Sequence, residues 1–343
     1  MRNVTLGSTG IVVPQNAFGA LPVQRTEMDE AVRILRRAYE GGMRYIDTAR
    51  AYSNSEEKLG RAFGDAWPDD LYIATKTMAK TPEGFWRDLD CSLEMLRRPY
   101  VDVYQYHMAN VVWRPGDGTG MYECMLEAKD KGLIRHIGIT AHKIGIAEEA
   151  VESGLYETLQ FPFSYLAGDR ELALVELCKQ HDMGYIAMKG LAGGLINNSR
   201  AAMAYLYANP WVLPIWGIQR MGELEEWLSY MEDTPVMDDE IAAFIEAERA
   251  SLSGDFCRGC GYCMPCPQGI EINNCARMSL MLRRAPSASW LGEHWQVEMA
   301  KIEDCIGCYQ CQRKCPYELD TPELLRKNLQ DYKRVLAGEV SVS

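Results

Sequence analysis

The sequence predicts an α/β fold, a closed (β/α)8 barrel followed by a small helical domain that is rich in cysteine. Two observations lead to this prediction. Short apolar strands alternate with helical segments eight times over about the first 230 residues, which is the pattern of a closed parallel barrel. Two cysteine runs then follow between Cys257 and Cys315. We place the boundary at 253–255, with the barrel over 1–253 and the second domain over 254–343.

The predicted elements follow from apolar periodicity and from turn residues. The turn residues of 7–10 lie between short β-rich pieces, so residues 1–20 are expected to form a capping hairpin. The predicted barrel strands are 16–20, 43–47, 71–75, 101–106, 134–139, 158–161, 185–188 and 212–216. The predicted helices are 27–40, 55–63, 82–96, 120–131, 146–152, 170–180, 200–207, 222–231 and 238–251 and, in the second domain, 274–284, 292–301 and 321–336.

Length, charge and cysteine content narrow the class of protein. The chain has 343 residues, of which 47% are hydrophobic, so it can bury a core in more than one domain. It has no apolar N-terminal run and no stretch of about 18 apolar residues, so neither a signal peptide nor a membrane span is expected. The formal charge of −12 argues against nucleic acid and anionic membranes as partners. Twelve cysteines without a signal peptide indicate a reducing, cytoplasmic location and metal ligation rather than disulfides.

The cysteine runs have the spacing of bacterial ferredoxins. They comprise Cys257, Cys260, Cys263 and Cys266, followed by Pro267, and then Cys305, Cys308, Cys311 and Cys315, followed by Pro316. Three cysteines at this spacing reach three irons of a compact [4Fe-4S] cube, and in two-cluster ferredoxins the fourth ligand comes from the other run. We therefore predict cluster I on Cys257, Cys260, Cys263 and Cys315. Cluster II is predicted on Cys305, Cys308, Cys311 and Cys266.

Other ligand arrangements stay open. The last spacing of the first run is two residues rather than three, so a chelate within one run is an alternative. Zinc is a second alternative, although zinc sites usually combine two separated cysteine pairs. Cys91, Cys124 and Cys178 lie in helical patterns and are predicted as core residues, and Cys275 lacks the spacing of a ligand.

Polar residues follow the predicted strands at the end where barrel active sites lie. Asp47 ends the second strand and Tyr52 comes soon after it, Lys76 follows the third strand, and His107 follows the fourth. A phenol can donate a proton to a carbonyl oxygen once its pKa is lowered, and a nearby ammonium should lower it. The lysine in turn needs a carboxylate, since a buried unpaired charge is costly. The imidazole can orient the substrate oxygen.

These residues lie in motifs that resemble the aldo/keto reductases. The motifs are Asp47-Thr-Ala-Arg-Ala-Tyr52, Ser55-Glu-Glu-Lys-Leu-Gly60, Ala74-Thr-Lys76 and Tyr106-His107. The resemblance covers residues 1 to about 235, and the whole chain resembles the branch with a ferredoxin-type C-terminal extension. It implies a TIM barrel that interconverts carbonyls and alcohols with NADP(H) or NAD(H), and it implies a catalytic tetrad of Asp47, Tyr52, Lys76 and His107.

The same resemblance implies a nucleotide site. The residues that it implicates are Gly19, Thr140, Gln160, Met188, Lys189, Leu191, Gly193, Gly217, Gln219 and Arg220. Backbone amides in the glycine-containing loops 191–194 and 217–220 could hold a pyrophosphate. Lys189 or Arg220 could bind a 2′-phosphate, but the sequence does not choose between NADP and NAD.

Hydride transfer moves two electrons, whereas a cubane cluster transfers one. A chain that has both a nucleotide site and clusters would therefore link two-electron chemistry to one-electron transfer. We predict an oxidoreductase that acts on a small carbonyl or alcohol and exchanges electrons with a ferredoxin or a flavoprotein. A flavin is not indicated, because no second nucleotide fingerprint is present, so it would sit on a partner or in the barrel mouth. Two alternatives stay open. The clusters could serve only to stabilise the small domain, or the chain could be a nucleotide-sensing subunit without turnover. Substrate and oligomeric state do not follow from the sequence.

Overall fold

The structure is a computed structural model. It describes residues 1–252, 256–259, 261–284, 287–315 and 317–342. The chain forms two compact units. The first comprises Met1–Gly190 and Met203–Asp238, and the second comprises Leu191–Ala202 and Asp239–Ser343. The boundary predicted at 253–255 lies outside the described residues, and it stays a prediction.

The first unit contains the predicted parallel barrel. A hairpin of β1 (Asn3–Thr5) and β2 (Val12–Pro14) precedes it, as expected. The barrel strands are β3 (Ala17–Gly19), β4 (Tyr45–Asp47), β5 (Tyr72–Thr77), β6 (Val101–Tyr106), β7 (Ile134–Thr140), β8 (Thr158–Pro162), β9 (Gly184–Met188) and β10 (Val212–Gly217). Each strand pairs in parallel with the next, and β10 closes the barrel by pairing with β3. The predicted fold class is confirmed.

Helices connect these strands. They are α1 (Met28–Glu40), α2 (Ser55–Phe63), α3 (Pro82–Leu96), α4 (Met121–Asp130), α5 (Ile144–Ser153), α6 (Asp169–Gln180), α7 (Ser199–Tyr207) and α8 (Met221–Glu232). The sequence shows why they form where they do. In α1 the predicted apolar face, with Ala31, Ile34, Leu35 and Ala38, is buried. At the start of α3 the hydroxyl of Thr81 accepts a hydrogen bond from the Gly84 amide, as an N-cap does.

The N-terminal hairpin covers the end of the barrel at which the strands begin. Val4, Leu6 and Ile11 lie in one apolar core with residues of the barrel strands, including Tyr45 and Leu213. A side chain at Gly7 would overlap the backbone of Asp182, just before β9, so the turn needs glycine. The apolar end is therefore closed. The polar residues of the strands lie towards the opposite end, which we call the mouth.

The second unit is helical. Its helices are α9 (Asp239–Ser251), α10 (Ile272–Cys275), α11 (Met278–Arg284), α12 (Ser287–Trp290), α13 (Glu293–Ala300), α14 (Gln310–Lys314) and α15 (Thr321–Leu336). Residues from several of them, among them Met278, Leu325 and Tyr332, share one apolar core. Partly buried Cys257, Cys263 and Cys266 pack against that core. In the described part of the chain, no helix is long and apolar enough to cross a membrane.

The prediction of one helix over 274–284 is wrong, because α10 and α11 are separate. Asn328 of α15 is buried at the break. Its side-chain amide donates to the Ala276 carbonyl at 3.1 Å, and its oxygen accepts from the Ser279 amide at 2.8 Å. A side chain that inserts into the backbone hydrogen-bond ladder interrupts a helix in this way. The break places Arg277 between the two helices.

Gly60 offers a test of the barrel packing. A methyl group there would overlap the carbonyl oxygen of Met95, where α2 meets the end of α3. We expect Gly60→Ala to destabilise the barrel by about 1–3 kcal/mol, because backbone cannot move aside cheaply. Thermal unfolding followed by circular dichroism should then show a midpoint several degrees lower.

The matched control is Gly145→Ala in α5, where nothing lies within 4 Å of the added methyl group. Its midpoint should stay unchanged or rise slightly, since alanine favours helix. Equal effects of the two substitutions would contradict the packing that we describe.

Candidate functional site

The four predicted catalytic residues come from neighbouring parts of the barrel mouth. Asp47 is the last residue of β4, Lys76 lies one residue before the end of β5, and His107 directly follows β6. These three strands pair in register, with Asp47 opposite Ala74 and Lys76 opposite Gln105. Tyr52 lies in the loop between β4 and α2. The strand order therefore brings the four side chains to one end of the barrel.

The Asp47–Lys76 ion pair is the buried centre of this site. The Lys76 ammonium is fully buried and donates to both carboxylate oxygens of Asp47, each at 2.7 Å, and to the carbonyl of Thr48 at 2.6 Å. Gln105 and Gln160 also donate to Asp47, at 3.3 and 3.4 Å. Burial raises the pKa of Asp47 and lowers the pKa of Lys76, while their mutual attraction opposes both shifts. Every donor that faces Asp47 favours the carboxylate, so we take the pair as ionised.

Tyr52 lies beside both Lys76 and His107. The Lys76 nitrogen is 5.2 Å from the centre of the Tyr52 ring. The Tyr52 and His107 rings meet edge to face, with their centres 5.5 Å apart. The structure thus brings the four predicted residues together.

The predicted effect of Lys76 on the pKa of Tyr52 is wrong for this structure. Burial raises the pKa of Tyr52 above its usual value, and the Asp47 carboxylate raises it further. The reason is that the ammonium is already paired with a carboxylate, so its attraction for a phenolate is too weak to outweigh the cost of burying that phenolate. Tyr52 therefore keeps its proton at neutral pH.

His107 is neutral. Burial lowers its pKa to about 3, and the Lys76 charge contributes to that shift. Its Nδ1 atom is buried and has no hydrogen-bond partner among the described residues. A buried ring nitrogen without a partner is a costly feature, which suggests a ligand-dependent role.

Strained backbone lies next to these residues. Ser53, Met108 and Lys189 have positive φ angles of 40°, 52° and 57°. They directly follow Tyr52, His107 and Met188, respectively. Residues other than glycine rarely adopt a positive φ angle. Backbone strain of this kind is commonly found at functional sites.

Several predicted nucleotide residues already have partners in the mouth. The Thr140 hydroxyl accepts from the Met108 amide at 2.8 Å, and Gln160 accepts from Gln105 at 3.2 Å. At Gly19 a methyl group would lie 3.0 Å from the Trp216 carbonyl oxygen, so this glycine also lets β3 and β10 approach. Met188 ends β9, and Gly217 ends β10.

Glu223 is a residue that we did not predict. Its carboxylate accepts from the amides of Gln219 and Arg220, at 2.8 and 3.1 Å. These are amides that we expected to bind phosphate. The signal was present in the sequence, since an acid at the third position of a helix commonly caps it. Gln105 was also missed, although it is a polar residue within an apolar strand.

Leu191 and Gly193 belong to the second unit rather than to the first. There the carbonyl of Gly193 accepts from the guanidinium of Arg277 at 2.9 Å.

The cysteines border two cavities in the second unit. One is lined by Cys305, Cys308, Cys311, Cys266 and Cys263. The other is lined by Cys257, Cys263 and Cys315. Cys260 and Pro316 lie outside the described residues. Each cavity therefore contains the last cysteine of the opposite run.

The two cysteine runs share a backbone conformation. Two and four residues after the first cysteine of each run, φ is positive: 65° at Gly259 and 83° at Gly261, against 62° at Gly307 and 55° at Tyr309. In the first run the Gly259 amide donates to the Cys257 sulfur at 3.4 Å. Hydrogen bonds of this kind influence the reduction potential of sulfur-ligated clusters.

Sulfur geometry alone does not define a metal site here. Within the described ranges, no three His, Cys, Asp or Glu side chains converge in metal-binding geometry. The cavities show only which cysteines lie near one another, so the ligand assignment stays a prediction. Cys275 is fully buried in the apolar core, and burial raises the pKa of its thiol to about 12.

Comparison with known protein families identifies both parts of the chain. Residues 15–205 match the model of the aldo/keto reductase family. The chain belongs to this family. Residues 256–320 match the model of a 4Fe-4S dicluster domain. Both predicted resemblances are confirmed, and with them the class of oxidoreductase.

Three relatives from different organisms each match part of the chain. An uncharacterised oxidoreductase of Bacillus subtilis is 27% identical over 210 residues, which are 57% of this chain and 67% of that protein. A methylglyoxal reductase of Salmonella typhi is 35% identical over 142 residues, which are 39% of this chain and 51% of that protein. An L-galactose dehydrogenase of Arabidopsis thaliana is 28% identical over 56% of this chain and 66% of that protein. The chain thus spans about half to two thirds of these relatives.

Solved structures show the same fold. A thermostable aldo-keto reductase in complex with the inhibitor epalrestat has a TM-score of 0.62 and 26% identity, over 72% of this chain and all of that chain. The holo form of an aldo-keto reductase from Bacillus halodurans has a TM-score of 0.63 at 21% identity, over 72% of this chain and 96% of that one.

Because Asp47 and Lys76 form a buried ion pair, we expect removal of one charge to lower stability more than removal of both. Asp47→Asn leaves the Lys76 ammonium buried without a counter-charge, so we expect a loss of about 3–5 kcal/mol in stability. The double variant Asp47→Asn with Lys76→Met removes both charges and should recover much of that loss. Unfolding of wild type, both single variants and the double variant gives the coupling energy.

Glu225→Gln is the control, because it breaks an exposed ion pair with Arg37. It should change stability by at most about 1 kcal/mol. Additive effects of the Asp47 and Lys76 substitutions would contradict the buried pair.

Proposed function

We propose that this chain interconverts a small carbonyl compound and its alcohol, with Tyr52 as the general acid and base. The observation that carries the proposal is the position of Tyr52, whose ring lies 5.2 Å from the Lys76 ammonium and 5.5 Å from the His107 ring. NADP(H) or NAD(H), when bound, supplies or accepts the hydride.

The protein's own residues then manage the proton. In reduction the carbonyl carbon gains a hydride and the carbonyl oxygen takes the Tyr52 proton, after which water restores the phenol. Because Tyr52 is protonated at neutral pH, it is ready to act as the acid. His107 is neutral and can donate one N–H to the carbonyl oxygen. The Lys76 ammonium, held by Asp47, stabilises the phenolate left after proton donation.

Some residues of the mouth are suited to bind a nucleotide, and others are already hydrogen-bonded within the protein. The buried Nδ1 atom of His107 lacks a partner among the described residues, as expected where a ligand completes the site. We propose that Met188, Lys189, Thr140 and Gln160 face the nicotinamide end, with Gly19 and Gly217 allowing close approach. Gln219 and Arg220 would hold phosphate after the Glu223 carboxylate turns away. Leu191 and Gly193 stay predictions, and the choice between NADP and NAD stays open.

We also propose that the second unit holds two [4Fe-4S] clusters with exchanged fourth ligands. Support comes from the two cavities, each of which includes the last cysteine of the opposite run. Such clusters transfer single electrons. A ferredoxin or a flavoprotein is the proposed partner, because Cys305 is exposed and the neighbouring Ile306 is 64% exposed. Short distance to the surface favours electron exchange with another protein.

A structural role of the clusters is the second candidate. The observation that favours it is the packing of Cys257, Cys263 and Cys266 against the apolar core of the unit. A bound cluster would then contribute directly to folding. Reduction of the clusters by ferredoxin during turnover would exclude a purely structural role. A sensor without turnover is less favoured, because sensing alone does not need Tyr52 beside Lys76.

Tyr52→Phe tests the catalytic role. Removal of the general acid should lower kcat for carbonyl reduction by about a hundredfold or more. Steady-state assays with NADPH and NADH over a panel of aldehydes and ketones measure this effect.

In wild type, the rate of reduction should vary little from about pH 6 to 8, because the raised pKa keeps Tyr52 protonated there. The rate of alcohol oxidation should increase as pH rises.

Tyr122→Phe is the matched control, since its hydroxyl bonds the Leu155 carbonyl at 2.5 Å on the outside of the barrel. It should retain full activity. If Tyr52→Phe were as active as Tyr122→Phe while binding nucleotide normally, the proposed role of Tyr52 would be excluded.

The exchange of fourth ligands can be tested by counting iron. Wild type should hold about eight irons, and Cys266→Ala should lose the cluster of the second run, leaving about four. Adding Cys305→Ala should then cost no further iron, whereas adding Cys257→Ala should remove nearly all of it. Iron and sulfide are measured after anaerobic purification.

Cys275→Ala is the control and should retain all of the iron, because Cys275 is a core residue. If the four cysteines of the first run instead held one cluster together, Cys266→Ala would already remove that cluster. Adding Cys257→Ala would then cause no further loss of iron.

A further inference from the structure

Lys58 is a buried lysine on α2 that the proposed mechanism does not use. Only 1% of its surface is exposed. Its ammonium donates to the carbonyls of Val23, Gln24 and Thr26, at 2.9, 3.2 and 2.6 Å. An ammonium has three protons, so these three bonds satisfy it fully. Lys58 therefore fixes one short stretch of backbone, which we call the turn 22–26.

The turn 22–26 lies at the mouth of the barrel, because it begins shortly after the end of β3. The Thr26 hydroxyl donates to the Gln219 carbonyl at 3.0 Å. A methyl group at Gly217 would lie 3.1 Å from the Pro22 ring. The turn thus packs against the end of β10 and the residues that follow it. Like Lys58, all of these residues belong to the first unit.

The bond from Thr26 fixes the direction of a proposed phosphate donor. The Gln219 carbonyl and the Arg220 amide belong to one peptide group, which is planar and trans, so the two point in opposite directions. With the carbonyl held by Thr26, the amide faces the other way. There it donates to the Glu223 carboxylate at 3.1 Å, so an anionic group already occupies this position. Once that carboxylate turns away, the turn 22–26 would keep the amide aimed at a phosphate.

We propose that Lys58 is a positioning residue for nucleotide binding. It fixes the turn 22–26, and the turn holds the peptide group of Gln219 and Arg220 in the direction that a phosphate needs. The inference rests on the proposed function, in which the amides of these two residues bind phosphate. A buried ammonium that touches no ligand thus sets the affinity for the nucleotide, because a donor that is already oriented loses less entropy on binding.

The test compares nucleotide binding and turnover in wild type and Lys58→Met. Methionine fills a similar space but leaves three carbonyls without their donor. The dissociation constant of NADPH or NADH, measured by quenching of protein fluorescence, should rise about tenfold or more. KM for the nucleotide should rise with it. At saturating nucleotide, kcat should fall by no more than about threefold, because the substitution leaves Tyr52 and its contacts with Lys76 and His107 in place.

Thr26→Val tests the route from Lys58 to the phosphate. It removes the hydroxyl that bonds Gln219 but keeps the carbonyl that accepts from Lys58, and it should weaken nucleotide binding about threefold to tenfold. The double variant should bind no more than about twofold more weakly than Lys58→Met, because both substitutions act through one contact.

Lys179→Met is the matched control, because Lys179 makes an exposed ion pair with Glu176 on the outside of the barrel. It should bind nucleotide and turn over substrate as wild type does.

The outcomes are distinct. If wild type binds neither NADPH nor NADH, the proposed function fails and this inference fails with it. If wild type binds nucleotide and either Lys58→Met or Thr26→Val binds it equally well, only the role of Lys58 is overturned. Independent effects in the double variant would also overturn that role, as would a loss of kcat with unchanged binding. If Lys58→Met does not fold, Thr26→Val decides: weaker binding supports the inference, and unchanged binding overturns it.

Discussion

The mouth of the barrel is organised by one interaction, the buried ion pair of Lys76 and Asp47. A lysine without solvent needs a carboxylate in contact and acceptors for its remaining protons. Pairing of β4 with β5 supplies both, since the carbonyl of Thr48 lies beside the carboxylate. Gln105 and Gln160 then satisfy the other side of Asp47. The strand order of the barrel therefore provides the partners that stabilise buried charges at this end. The opposite end is covered by apolar residues of the hairpin.

Tyr52 takes its properties from this centre. An ammonium that is already paired stabilises a neighbouring phenolate too weakly to outweigh burial, so burial determines the protonation state of Tyr52. The same ammonium lies near enough to stabilise negative charge once it forms. Under the proposed function, a phenol that keeps its proton in the resting state suits reduction of a carbonyl better than oxidation of an alcohol.

The sequence predicted most of the barrel because the deciding signals are local. The boundaries of α2, α3 and β6 follow directly from apolar period, from Pro82 and from the β-branched and aromatic residues of 101–106. The break between α10 and α11 could not be predicted, because it depends on Asn328, about fifty residues away. The pKa of Tyr52 was mispredicted for a similar reason: burial cannot be read from its neighbours in the chain. The contact of Gly193 with Arg277 likewise needed the tertiary structure.

The matching φ angles of the two cysteine runs, and the cavities that each draw on both, have a consequence for biogenesis. Cys315 borders the cavity of the first run, and Cys266 borders the cavity of the second. With the exchanged ligands that we propose, neither iron cube could be completed before the second run has been synthesised. Delivery of iron and sulfide would then follow translation of both runs, and the two cubes would be inserted in one maturation step.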